Sequence, residues 1–531
     1  MVVVVSESPE YKAIEAWVAK GIPHLRELLG SPERNAELRL EAEGMVMDYA
    51  RQRLTPETMG LLFALARATG VEAKRDAMFG GVKINETEGR AVYHVALRAA
   101  KGEPMLADGV DQEPLVQSTL EKIATFSEAV RSGSWVGATG KPLTSILAIG
   151  IGGSYLGPEF LYEALKAYPK IGKKLDLRFL ANVDPVDFAR QTVGLDPETT
   201  LAVVVSKSFT TAETMMNANV VKRWLLEKVP EISKHVVAVS TQLDLTTKFG
   251  ISEANVFPFG DYVGGRFSVH SPVGMLPLAL AYGYDACAEF LAGARSMDRH
   301  FMTAPLESNL PVVLGLLGLY NSTFLGYACK ALLPYSQALV RFAAHVQQLD
   351  CESNGKSVAM DGTPLPFETG EIVFGEPGTN GQHSFYQLLH QGRVVPCEFV
   401  AFASSNADVA GIKPISNHDE LMCNFFAQPD ALACGQDDPD PHKRFPGNRP
   451  SLSILVRDQV SPFTMGQLLA LYEHRVAVQG FVWGINSFDQ WGVQLGKVLA
   501  KQVAKAIESK DTSAFNSSTK ALLDTYLKNK K

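Results

Sequence analysis

A chain of 531 residues exceeds what one hydrophobic core supports, so two or more domains are expected. Hydrophobic residues at 46% and charged residues at 20% are ordinary for a folded globular protein. A formal net charge of −7, from 50 Lys and Arg against 57 Asp and Glu, argues against a nucleic-acid partner and leaves any anionic ligand to be held by local design.

The chain opens on a valine run, residues 2–5, with no basic residue ahead of it. It is too short for a secretory segment or a bilayer span, and no membrane association is expected. Helical periodicity dominates the first hundred residues, as at 11–29 and 55–68. From residue 143 the regime changes. Apolar runs at 143–149, 175–180, 201–205 and 236–240 alternate with helical stretches, the pattern of a parallel sheet buried on both faces. The stretch 310–320 reads as a buried helix. A second alternation sets strands at 394–403 and 453–456 among helices at 336–349, 384–391 and 462–478. The expected class is therefore α/β, with three-layer α/β/α domains on mainly parallel sheets. Residues 110–283 form the first, smaller, inserted domain. Residues 1–109 and 284–500 form the second with its N-terminal helices, and 501–531 form a helical tail. That tail is either a solvated terminal helix or an arm gripping a partner subunit. Six cysteines, at 287, 329, 351, 397, 423 and 434, show no CxxC pairing and read as reduced thiols of a cytoplasmic protein.

Five segments could carry chemistry. Gly150-Ile151-Gly152-Gly153-Ser154-Tyr155-Leu156-Gly157 follows a strand and opens a helix, where backbone N–H groups can meet an anion. A dinucleotide fingerprint would need glycine at 155, so Tyr155 disfavours NAD. Residues 206–214 hold five hydroxyls in nine positions at a second strand-to-helix turn: Ser206, Ser208, Thr210, Thr211 and Thr214. One would suffice as a cap; a cluster suits a phosphate dianion. Glu352 ends a helix that stops at Asn354-Gly355, near the negative end of the helix dipole, which strengthens a carboxylate as a base; a surface glutamate beside a turn looks the same. Three glycines and a proline in 375–383 fix a loop that delivers His383 to a helix start, for acid–base work or merely for capping. Asn486 and Asp489 suggest a capping box, after which Gln490 and Lys497 would share one helical face two turns apart.

Together these segments resemble the glucose-6-phosphate isomerase (phosphoglucose isomerase) family. The likeness also covers residues 84–98, Val263-Gly264-Gly265-Arg266, Gly447-Asn448-Arg449-Pro450, and Tyr472-Glu473-His474 with Val478-Gln479-Gly480. It implies two sugar-isomerase (SIS-type) domains, a homodimer whose active site is shared between subunits, no cofactor and no metal. The implied reaction interconverts glucose 6-phosphate and fructose 6-phosphate through a cis-enediolate. Position by position, Gly153 and Ser154 match a sugar-contacting turn, and Ser206, Ser208, Thr211 and Thr214, with Lys207 among them, match a phosphate loop. Arg266 matches the arginine near the reacting carbons and Gln348 a substrate-contacting amide. Glu352 matches the base, His383 the ring-opening histidine given by the neighbouring subunit, and Gln490 and Lys497 a C-terminal pair. Ser208 stands where threonine is frequent, Phe267-Ser268-Val269-His270 follows Arg266 where other residues are common, and Gln494 replaces a frequent glutamate. Rival readings are an isomerase that also takes mannose 6-phosphate, a non-catalytic sugar-phosphate-binding regulator on the same fold, and a nicotinamide dehydrogenase.

Overall fold

The first strands come earlier than helical periodicity suggests. β1 (Arg39–Ala42) and β2 (Met45–Asp48) form an antiparallel hairpin. Its two-residue turn puts both Glu43 (φ 52°) and Gly44 (φ 74°) in the left-handed region, the geometry that matches strand twist. The predicted helix at 11–29 is in fact two, Pro9–Ala19 and Leu25–Leu28, parted by Gly21 and Pro23. The protein is seen as a computed structural model that describes residues 5–172, 174–407 and 414–530. Val2, Val3 and Val4 of the valine run, and the terminal Lys531, lie outside the described residues.

The apolar runs after residue 143 form one parallel sheet. Its strands are β3 (Ser145–Ile149), β4 (Asp176–Leu180), β5 (Thr200–Val205), β6 (Val236–Val239) and β7 (Val256–Phe257), in the order β4-β3-β5-β6-β7. Every residue of β5 is buried, as expected where helices cover both faces. The chain leaves β3 for β4 on one side, then returns to lay β5 on the other. The carboxyl ends of β3 and β5 therefore flank the sheet's switch point, where open α/β sheets bind ligands.

The second sheet is mixed. It contains β8 (Cys329–Pro334), β9 (Ile372–Phe374), β10 (Cys397–Phe402) and β11 (Ser451–Val456), all parallel, in the order β1-β2-β11-β10-β8-β9. The N-terminal hairpin completes it, with β2 antiparallel to β11. The helix expected at 336–349 starts later and runs Phe342–Asn354. The stretch read as a buried helix is one, Leu310–Leu319, buried at each position. The helix Pro462–Trp483 is buried at every residue but Phe463, including Tyr472, Glu473, His474, Arg475 and Gln479. Polar groups that deep must be paired, and Arg475 and Glu473 sit in ion clusters described below.

Residues Met1–Ser487 and Phe488–Lys531 form two compact units. In the second, helices run Gln494–Ser509 and Ser517–Asn529. The helix expected to open at Asn486 starts only at Gln494, with Val493 at its N-cap, and the Asn486 amide donates to Asn85 Oδ1 (3.1 Å) and Thr87 Oγ1 (3.0 Å). Gln490 precedes that helix, so it and Lys497 do not share two helical turns. All six cysteines are unbridged. Among the described residues no helix is long and apolar enough to cross a membrane, and no cluster of His, Cys, Asp or Glu could hold a metal ion.

Candidate active site

The turn after β3 and the turn carrying Arg266 meet backbone to backbone. A Cβ on Gly153 would lie 2.2 Å from the carbonyl of Gly265 and 2.6 Å from Arg266 N, so only glycine allows the approach. A Cβ on Gly152 would come within 3.2 Å of Gln348 Nε2, which brings the end of the Phe342–Asn354 helix to the same place. Three predicted segments thus converge, and Ser154 rides on the first of them in the turn Gly152–Ser154.

Glu352 sits at the centre of that convergence. Its Oε2 is 3.4 Å from Arg266 Nη1, and its Oε1 is 3.3 Å from Gln348 Nε2. The carboxylate keeps about a quarter of its surface open (27%), whereas the arginine side chain is almost wholly enclosed (1%). A base has to reach solvent-delivered substrate, and a charge meant for a developing anion works best where water is excluded. Gln348 Oε1 is buried and accepts no hydrogen bond among the described residues, an acceptor suited to a ligand hydroxyl. Arg266 donates from Nε to Ser353 Oγ (2.7 Å) and from Nη2 to the Ser487 carbonyl (2.6 Å).

The hydroxyl-rich turn lies at the carboxyl end of β5. Ser206 Oγ and Thr211 Oγ1 stand 3.4 Å apart, and Thr210 donates to Ser208 (2.8 Å). Thr211 occupies the N-cap of the helix Ala212–Leu226 yet makes no capping bond with its side chain, so capping does not explain the cluster. Thr214 is buried one turn in, and Phe209 is held in the left-handed region (φ 51°), strain of the sort that gathers at binding turns.

Lys207 points elsewhere than its neighbours suggest. Its ammonium donates to the carbonyls of Asp261 (2.7 Å) and Val263 (3.4 Å), the loop leading into Gly265 and Arg266. Arg90 donates to the same Asp261 carbonyl (3.0 Å). Burial, reinforced by Arg90, pulls the Lys207 ammonium down to about 8. The folded protein therefore releases that proton before the unfolded chain does. Between pH 8 and the ordinary lysine range, stability contributed at this site should rise with pH. Urea midpoints of the parent and of Lys207→Gln, compared at pH 7.5, 9 and 10, should show the parent gaining on the variant; a constant difference would refute this.

His383 is not among the side chains joined around Glu352. It ends the turn Asn380–His383, exposed to solvent and three residues before the helix Tyr386–Gln391 at whose start it was expected. Gln382 anchors this turn through Tyr335 and Asn424, both at 3.0 Å. Topology explains the separation. The helix after β8 runs back to the amino edge of the sheet, carrying Glu352 there, and β9 then returns to the carboxyl edge and delivers His383. Gln490 and Lys497 stand on the second unit. Sequence reasoning passed over Ser353, Asn354 and Ser487, although all three lie inside segments it singled out.

A deeper cluster supports this helix. Lys330 and Arg475 meet the carboxylates of Asp350, Glu371 and Glu398, all buried. Tyr472 donates to Glu398 (2.8 Å) and Gln479 to Glu371 (3.0 Å). A second buried group ties Arg98 to Asp298 and Glu473, each at 2.7 Å, and His474 to Asp298.

Fold and site together define the class, an α/β enzyme of sugar-isomerase architecture with polar turns at its sheet edges. The model for phosphoglucose isomerase matches residues 48–523, and the chain belongs to that family. The cytosolic glucose-6-phosphate isomerase of Arabidopsis thaliana is 56% identical to it over 526 residues, covering 95% of this chain and 94% of its own. The cytosolic A form from Oryza sativa subsp. japonica is 54% identical over 546 residues, covering 98% and 96%. A crystal structure of a glucose-6-phosphate isomerase from Chlamydia trachomatis aligns with a TM-score of 0.89 at 36% identity, covering 96% of this chain and 98% of that one.

Proposed function

We infer that the chain interconverts glucose 6-phosphate and fructose 6-phosphate by proton transfer through a cis-enediolate, as a cytosolic enzyme like its plant relatives. The observation that carries this is Glu352, part-open and set between Arg266 and Gln348 beside the glycine turn. Ser206, Ser208, Thr211 and Thr214 grip the phosphate, helped by the N–H groups at the start of the helix Ala212–Leu226, which the Thr211 side chain leaves uncapped. Gly153, Ser154 and Gln348 contact the sugar. Glu352 takes the proton from the carbon beside the carbonyl and returns it to the neighbouring carbon, while Arg266 balances the negative charge that appears between. The electron pair stays within the substrate, so the reaction calls for no redox carrier.

His383 protonates the ring oxygen to open the ring. It does so in the site of a second subunit, a reading supported by its exposure and by its place at the sheet edge opposite Glu352. The working form is therefore a homodimer. Lys497 assists at the anomeric hydroxyl and Gln490 touches substrate, roles that rest on the family resemblance alone. Lys207 acts here through its backbone, since its ammonium is spent on Asp261 and Val263.

The test is a coupled assay of fructose 6-phosphate conversion by purified protein with a chelator present. Turnover is expected, and its absence would end the reading. In the same assay Ser206→Ala combined with Thr211→Ala should raise KM roughly tenfold or more, because hydrogen bonds to a charged group are lost. Reduced stability with unchanged KM would return the hydroxyls to a structural role.

A further inference from the structure

We propose that Ser353 and Ser487 are positioning residues that set the Arg266 guanidinium for the reaction; the proposal rests on the isomerase reading above. A guanidinium is planar, with its donors in a rigid fork. Two anchors along one edge fix the direction of the remaining nitrogen. Here the anchored edge is Nε and Nη2, held at 2.7 Å by Ser353 Oγ and at 2.6 Å by the Ser487 carbonyl. Nη1 is thereby turned toward Glu352. Both serines are almost wholly buried, so water does not compete for these bonds.

The Ser487 carbonyl is itself held in place. Ser487 Oγ donates to Asn354 Oδ1 (2.7 Å), and the Asn354 amide donates to the Val476 carbonyl (3.2 Å) and to Gln479 Oε1 (3.3 Å). Gly480 makes room: a Cβ there would lie 1.8 Å from Ser487 Oγ. Ser353 and Asn354 directly follow Glu352 on one helix, so the base and the arginine take their positions from the same turn.

The chemistry of the anchors distinguishes this arginine from its buried counterparts. Arg475 and Arg98 are held by carboxylates, which neutralise them. Along its Nε–Nη2 edge Arg266 meets a hydroxyl and a carbonyl, which orient the cation, while its Nη1 faces the Glu352 carboxylate. That is the arrangement required to stabilise an enediolate formed beside Glu352.

The experiment compares Ser353→Ala, Ser487→Ala, Arg266→Lys and the double variant Ser353→Ala with Arg266→Lys, each by kcat, KM and denaturation midpoint. Ser353→Ala should lower kcat by roughly tenfold or more with KM held within about threefold and the midpoint nearly unmoved, the mark of an interaction made in the transition state. Ser487→Ala should do the same to a lesser degree, which keeps the test alive if one variant folds poorly. In the Arg266→Lys background, which lacks the fork, adding Ser353→Ala should change kcat by less than about threefold. Loss of kcat that multiplies undiminished in that background would show an independent structural role and overturn the proposal. So would a Ser353→Ala enzyme within about twofold of the parent. A parent chain inert toward fructose 6-phosphate overturns the isomerase reading first and this proposal with it.

Discussion

Replacing Glu352 by glutamine should lower kcat by about 10²–10⁴ while KM stays within about threefold, because a positioned general base is worth that much and the amide keeps the size and the neighbours of the carboxylate. Glutamine can still accept from Arg266 and lie against Gln348, so the cleft keeps its shape. What disappears is the ability to take a proton. Exchange of substrate hydrogen with deuterated solvent, measured alongside turnover, should fall by the same factor. A Glu352→Gln enzyme that isomerises within about tenfold of the parent would show that another group is the base.

The second large effect concerns stability. Arg475→Met should destabilise the protein by about 3–5 kcal/mol, the usual cost of taking one partner out of a buried ion cluster. Arg475 is fully enclosed and meets Asp350 at 2.5 Å, Glu371 more closely still, and Glu398 at 3.7 Å. Without it, three carboxylates would share Lys330. The cluster joins β8, β10, the start of β9 and the helix that carries Glu352, so the loss should spread to the site. Denaturant midpoints compare the two proteins, and a difference below about 1 kcal/mol would mean the cluster relaxes around the gap. Burial alone would raise the Glu371 carboxyl, but Lys330 and Arg475 outweigh it and hold it well below its ordinary range. Its contribution is thus complete above the unfolded carboxylate range and drains away as pH falls toward the folded value.

Much of the architecture was legible because burial on both faces writes itself as unbroken apolar runs. β5 and β6 appear in the sequence almost residue for residue. The hairpin β1–β2 escaped because four-residue strands with a half-exposed face carry little pattern, and its turn uses Glu43 where asparagine or aspartate would have been a clearer signal. The site was legible as segments but not as contacts. That Gly153 exists to meet Gly265, or Gly480 to admit Ser487, depends on chain crossings that no local spacing encodes. Lysine is harder still: four rotatable bonds let Lys207 reach Asp261 and Val263, while its position in the hydroxyl cluster suggested a phosphate. Asn486 shows the same limit, since its amide reaches Asn85 and Thr87, residues far away along the chain.

The closing of the mixed sheet by β2 against β11 dictates an order of events during synthesis. Residues 45–48 leave the ribosome long before 453–456, and until then the hairpin has no strand to lie beside. The five strands between 145 and 257 follow one another without interruption from elsewhere, so that sheet can assemble as it emerges. An unpaired strand edge invites wrong partners. The amino-terminal hairpin thus keeps an open edge until late in synthesis, and a truncation before β11 would leave it permanently without its match.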